Sequence, residues 1–177
     1  TADEGDDFTP LSGTVVIPIG ATTANITVPV INDDLVEKTE VLTLELLSAS
    51  TDGMAMLDTA NKTDSIDIID NDTATYTISD VSVVEGDTGT TTMTFFVEVD
   101  KEVDIPVQVD VNYADDTATG GGVDYDSATD SVTFPAFTTT SMSVTVSVTP
   151  EKLVELDETF DVSLSTPTML MGRSLDL

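Results

Sequence analysis

The chain has 177 residues and sets 34 Asp plus Glu against 5 Lys plus Arg, a formal net charge of -29, with no His, no Cys and no Trp. Without imidazole or thiol there can be no Ser-His-Asp triad, no Cys nucleophile, no Cys/His zinc site and no disulfide framework. Five dispersed bases cannot displace counterions from phosphate, so nucleic acid is excluded as a partner and an anionic membrane surface is disfavoured.

Any metal must be held by oxygen, which selects hard cations such as calcium or magnesium. Leu, Ile, Val and Phe number 50 of the 177 residues, enough for a packed core despite the charge. Val dominates the apolar residues and Thr is the commonest residue of all. Both are β-branched, lose χ1 freedom in a helix and pack well on a pleated surface, so the composition leans towards strands. No apolar run approaches the roughly 20 residues of a membrane span, so no membrane insertion is expected. Thr1 opens directly into an acidic stretch, and a targeting segment is expected upstream.

Period-2 alternation dominates the chain. Val15 and Ile17, then Ile26, Val28 and Val30, then Leu42, Leu44 and Leu46, then Ile66 and Ile68 mark four predicted strands before residue 72. Six more are predicted at 75–79, 90–99, 105–113, 130–135, 142–148 and 159–165. Clusters of Asp, Asn, Gly and Pro separate them at short intervals, the pattern of an antiparallel sandwich.

An internal repeat organises these strands. Thr1-Ala2, Asp7-Phe8, Pro18, the Ile26/Val28/Val30 alternation and Leu35-Val36-Glu37 align with Thr117-Ala118, Asp124-Tyr125, Pro135, Val144/Val146/Val148 and Leu153-Val154-Glu155. Residues 1–72 are expected to hold the last four strands of one unit. Residues 73–177 are expected to hold a nearly complete second unit lacking its last strand.

Ile78-Ser79-Asp80-Val81-Ser82-Val83-Val84-Glu85-Gly86-Asp87, then Val109 to Tyr113 leading to Thr117-Ala118-Thr119-Gly120 and Val123-Asp124-Tyr125, then Val132-Thr133-Phe134-Pro135, resemble a Calx-beta domain. Ile66-Asp67-Ile68-Ile69-Asp70-Asn71-Asp72 is similar to the strand and acidic triplet that close such a domain. The resemblance covers essentially the whole chain. It implies an all-β, immunoglobulin-like, antiparallel Greek-key β-sandwich, with tandem units in an elongated arrangement. It also implies calcium (Ca2+) held by loops that meet at one end of each sandwich.

Carried over residue by residue, the resemblance implies metal ligands at Asp33, Asp34 and Glu37, with Glu40 in the same loop, and at Asp70 and Asp72, where Asn71 replaces the middle acid. In the second unit it implies Glu85 and Asp115, with Asp116 adjacent, and Glu151 and Glu155. Lys152 stands where the first unit has Asp34, so the first site is expected to be the stronger. Two carboxylates about 5 Å apart repel by roughly 3 kcal/mol at an effective dielectric near 20, which independently favours a cation wherever such loops converge. Asp7 and Asp124, each before an aromatic, read as turn caps beside a core ring. Phe95, Phe96, Phe134 and Tyr113 read as core or sheet-face residues. Asn25, Asn61 and Asn71 each open an Asn-X-Thr pattern, which arises readily by chance in a Thr-rich chain.

The resulting functional expectation is a calcium-binding structural or adhesive module of an extracellular multi-repeat protein, with calcium stiffening the repeat junction. Its expected partners are neighbouring repeats or like subunits, and a cell-surface or matrix ligand. Three alternatives stay open: a subunit of an extracellular filament assembled by strand complementation, a calcium-sensing regulatory domain, and acidity that only adapts the surface to high salt. Catalysis is the weakest class, because nothing marks one acid in an apolar pocket beside one that stays ionised.

Overall fold

The structure, a computed structural model, describes residues 1–49, 55–126, 130–165 and 170–177. Its described elements are all strands. They fall in two compact units, one of Thr1–Asp33 with Lys38–Asp70, the other of Asp34–Glu37 with Asn71–Leu177.

In the first unit β1 (Glu40–Glu45) pairs antiparallel with β2 (Thr63–Ile68), Glu40 opposite Ile68 and Glu45 opposite Thr63. Leu42 is buried, Thr43 and Ser65 exchange a hydroxyl hydrogen bond of 3.1 Å across the pair, and Lys62 forms an ion pair with Glu45. Phe8 is buried and bridges Val30. The predicted strands at Val15/Ile17 and Ile26 to Val30 do not form ladders among the described residues, and Val16, Ile17 and Ile19 are exposed. Alternation specifies which face a residue takes. It does not supply the neighbouring strand whose carbonyls and amides complete a ladder.

All six strands predicted for the second unit form, with ends shifted by at most two residues. They are β3 (Ala74–Ile78), β4 (Thr91–Val99), β5 (Val107–Asp115), β7 (Asp130–Phe134), β8 (Met142–Val148) and β9 (Phe160–Ser165). Two further strands, β6 (Tyr125–Asp126) and β10 (Leu175–Asp176), are two residues each and too short to show a period. One sheet has the order β10-β3-β4-β8-β6 and the other β7-β5-β9. From β4 to β10 each successive strand lies in the opposite sheet to the one before it, and β10 lies parallel to β3.

The core follows from the alternation. In β4, Met93, Phe95, Val97 and Val99 point inward, while Phe96 stays half exposed. They meet Val109 and Val111 of β5, Val132 and Phe134 of β7 and Val144 and Val146 of β8. Tyr76 of β3 meets Phe134 edge to face with centroids 5.2 Å apart. Full burial of each such side chain contributes about 1.5–3 kcal/mol. The loops are therefore held on a stiff frame.

Arg173 is buried behind this frame and forks onto Asp104 in the β4–β5 connection, its Nη2 donating to Oδ2 at 2.5 Å and its Nε to Oδ1. Removing one partner strands the other charge in a poorly solvated site. Arg173→Ala is expected to lower the stability of the second unit by about 3 kcal/mol in urea unfolding. The double change Arg173→Met with Asp104→Leu should cost clearly less, because it leaves no uncompensated charge.

Candidate functional site

At one end of the second unit the β5–β6 connection is locked by its own acids. Tyr125 Oη donates to Asp115 Oδ1 at 2.6 Å and the Gly120 amide donates to the same oxygen at 2.9 Å. These two bonds, the tyrosine first, hold the Asp115 carboxyl below its ordinary range. A Cβ on Gly120 would come within 3.0 Å of Asp115 Oδ1 and 3.1 Å of the Tyr125 ring, so any side chain here would press these two partners apart. Tyr125 is buried and stacks on Phe160 at 4.1 Å. Asp116 Oδ2 accepts from Thr159 Oγ1 at 2.6 Å, and Thr159 accepts at its carbonyl from the amides of Thr117 and Ala118. Asp116 thus ties the start of β9 to the end of β5, and Asp115 braces the β5–β6 connection.

Beside this lock a second set of acids gathers. Glu85 Oε1, from the β3–β4 loop, accepts the amide of Glu151 at 2.8 Å. The Glu151 carboxyl is raised first by a hydrogen bond with Glu155, then by loss of water and the fields of Glu155 and Asp124. The Glu158 carboxyl is raised first by loss of water, then by Asp124 and Glu151, by a hydrogen bond with Asp124, and by Glu85. Five carboxyls, Glu85, Asp124, Glu151, Glu155 and Glu158, therefore interact across three loops. No Lys or Arg forms an ion pair with any of them among the described residues.

Asp124 and Glu158 are the members that the sequence reading did not place with these acids. Asp124 does cap its turn, accepting the Thr119 amide at 2.7 Å. It also faces the β8–β9 loop, and the Thr149 amide donates to its carbonyl at 2.8 Å. The signal that points to it is the recurrence of Asp before an aromatic in both repeats, Asp7-Phe8 and Asp124-Tyr125.

The remaining predicted ligands are placed differently. Asp33 and Asp70 belong to the first unit, Asp34, Glu37 and Asp72 to the second. Within the second unit the Lys101 ammonium, at the β4–β5 turn, bonds Asp72 Oδ1 and lies 3.7 Å from Asp34 Oδ1. Asp72 is almost buried, while Asp34 is nearly all exposed. Lys101 is raised above its ordinary range first by its bond to Asp72, against an opposing loss of water, and then by Asp72, Asp34 and Asp100. An open cleft of about 380 Å3 lies here, lined by Asp34, Leu35, Asp100, Lys101, Glu102 and Thr139.

As the side chains stand, no three acidic groups among the described residues converge in the arrangement of a metal site. The β3–β4, β6-adjacent and β8–β9 acids instead share hydrogen bonds with one another. Together the two sheets and their acidic end define an immunoglobulin-like β-sandwich whose loop carboxyls outnumber nearby cations. The family model of the Calx-beta domain matches residues 1–80 and again residues 70–174, and the chain belongs to that family as two tandem units. The family is non-catalytic and calcium-related, and occurs in multi-repeat proteins. No curated protein matches the chain.

The raised carboxyls carry a pH consequence. A group whose folded pKa exceeds its unfolded value binds more protons when folded, so stability rises as pH falls through that window. In chelator, the second unit is expected to melt higher near pH 5 than at pH 7, until acidification protonates the depressed Asp115 and reverses the trend. Glu158→Gln should flatten the rising part while leaving the acid limb in place, as read by circular dichroism melts across pH.

Proposed function

We propose that this chain is a calcium-binding structural or adhesive module of an extracellular multi-repeat protein. The observation that carries this reading is the five-carboxyl end of the second unit, where Glu85 accepts the Glu151 amide, neighbouring acids raise Glu151 and Glu158, and no Lys or Arg pairs with the group among the described residues. The donor set is all oxygen and drawn from several loops, which suits a cation that takes six to eight oxygens in flexible geometry. Glu85, Asp124, Glu151, Glu155 and Glu158 would hold it after their side chains turn together, since as they stand no three of them form a metal site. When bound, the ion supplies positive charge that offsets their mutual repulsion and links the β3–β4 loop to the β8–β9 loop.

The chain's own groups prepare this end. The Asp115–Tyr125–Gly120 lock fixes the turn that carries Asp124, and the Glu85–Glu151 amide bond sets two loops side by side. At the other predicted location, Asp34 and Asp72 already face the Lys101 ammonium. The second unit's acidic end is therefore the stronger candidate, which reverses the order expected from Lys152. An extracellular setting fits the reading, because weak oxygen sites fill at the calcium concentrations of extracellular modules.

Calcium is expected to raise the melting temperature of the chain and magnesium to raise it less, since magnesium demands a tight octahedron and keeps its waters. With a dissociation constant on the order of 10 to 100 micromolar, millimolar calcium adds roughly 1.4 to 2.7 kcal/mol. Asp124→Asn and Glu158→Gln should each remove most of that gain, whereas Asp116→Asn should leave it largely intact. A melt indifferent to both calcium and chelator would sink the proposal.

A further inference from the structure

Residues Asp34–Glu37 precede β1 in the chain yet belong to the second compact unit. Val36 is wholly buried in that unit's core beside Val103. It pairs with Val103 in parallel, its amide donating to the Glu102 carbonyl at 2.9 Å and its carbonyl accepting the Asp104 amide at 3.2 Å. This is strand addition one residue long, in which main-chain bonds hold the segment and one side chain fills a pocket. Leu35 lines the adjoining cleft, and Asp34 faces Lys101.

The same three residues recur in the second repeat as Leu153, Val154 and Glu155. There they are bare: Leu153 is 69% exposed and Val154 97%. One segment is thus seen seated and its repeat equivalent is seen empty-handed. The neighbouring position differs in sign, with Lys152 where the seated segment has Asp34. A lysine brought to that position would face the Lys101 ammonium, and like charges held at such range repel.

We propose that Leu153, Val154 and Glu155 form a docking peg for the β4–β5 turn of a further Calx-beta unit, and that the receiving unit has no cation where this one has Lys101. In such a unit the peg's own Lys152 takes over the pairing that Lys101 performs here with Asp72. Val154 fills the pocket that Val36 fills here. The inference rests on the tandem organisation and not on calcium, so the test is run in chelator and a failure of the calcium reading leaves it standing.

The full chain has its own pocket filled by Val36 and is expected to sediment as a monomer. The variant Val36→Ser with Lys101→Gln empties the pocket and removes the opposing ammonium. It is expected to associate head to tail, shifting from monomer to dimer and larger species with concentration in sedimentation velocity. Adding Val154→Ser, at a position exposed enough to leave the fold intact, should return it to monomer. A folded double variant that stays monomeric, or an association that persists with Val154→Ser, would overturn the proposal. Should circular dichroism show that the emptied variant does not fold, a charge cycle within the chain decides. Asp34→Lys makes the seated segment identical to residues 152–155 and should lower the second unit's melting temperature, and Lys101→Gln in the same chain should recover most of the loss. No recovery would show that a segment of the peg's sequence cannot seat on a unit lacking that cation.

Discussion

Mutual repulsion of carboxylates is the constraint around which this molecule is arranged. With 34 acids and 5 bases, most carboxyls cannot find a partner, and where the cations go decides which regions are neutralised from within. Three of the five bases are seen in ion pairs: Lys62 on the first unit's hairpin, Lys101 at the turn that meets Asp72 and Asp34, and Arg173 behind Asp104. The Arg173 pair is buried and takes the bidentate form that a planar guanidinium allows. At the acidic end of the second unit no cation intervenes, and the neighbouring acids raise Glu151 and Glu158 above their ordinary range.

The sandwich concentrates that repulsion rather than spreading it. Strands β4, β5, β7 and β8 carry an apolar face dominated by valine, which leaves polar and acidic residues for the outer faces and the connections. Because Glu85 lies between β3 and β4 while Glu151, Glu155 and Glu158 lie between β8 and β9, the fold brings together acids 66 and more positions apart. Hydrogen bonds from Tyr125 and Gly120 keep Asp115 out of this group and turn it into a brace. A single acidic loop thus divides its residues between holding the turn and facing the cluster.

Much of the architecture was legible in the order of residues. Period-2 alternation located β1, β2 and all six longer strands of the second unit, and the repeat of Asp-aromatic, Pro and Leu-Val-Glu motifs announced tandem units. The same alternation at Val15/Ile17 and Ile26 to Val30 marked segments that form no ladder among the described residues, only the single bridge of Val30 to Phe8. Alternation is a property of one segment, whereas a ladder is a property of two. The two-residue strands β6 and β10 carry too few side chains to show any period, and they exist because a neighbour offers its edge.

Sequence alone determined the all-β class, the tandem organisation, the family resemblance and the restriction of any metal to oxygen ligands, because these depend on composition and local spacing. Tertiary structure decided which acid meets which partner. Asp72 meets Lys101 across 29 positions and Asp104 meets Arg173 across 69, and Asp124 joins Glu158 although its local context marks it as a turn cap. It also decided that Val36 is buried while Val154, in the same three-residue motif, stands in water. A charge interaction and a filled pocket depend on distance in space, and identical residues acquire opposite environments when only one of them has a neighbour to enter.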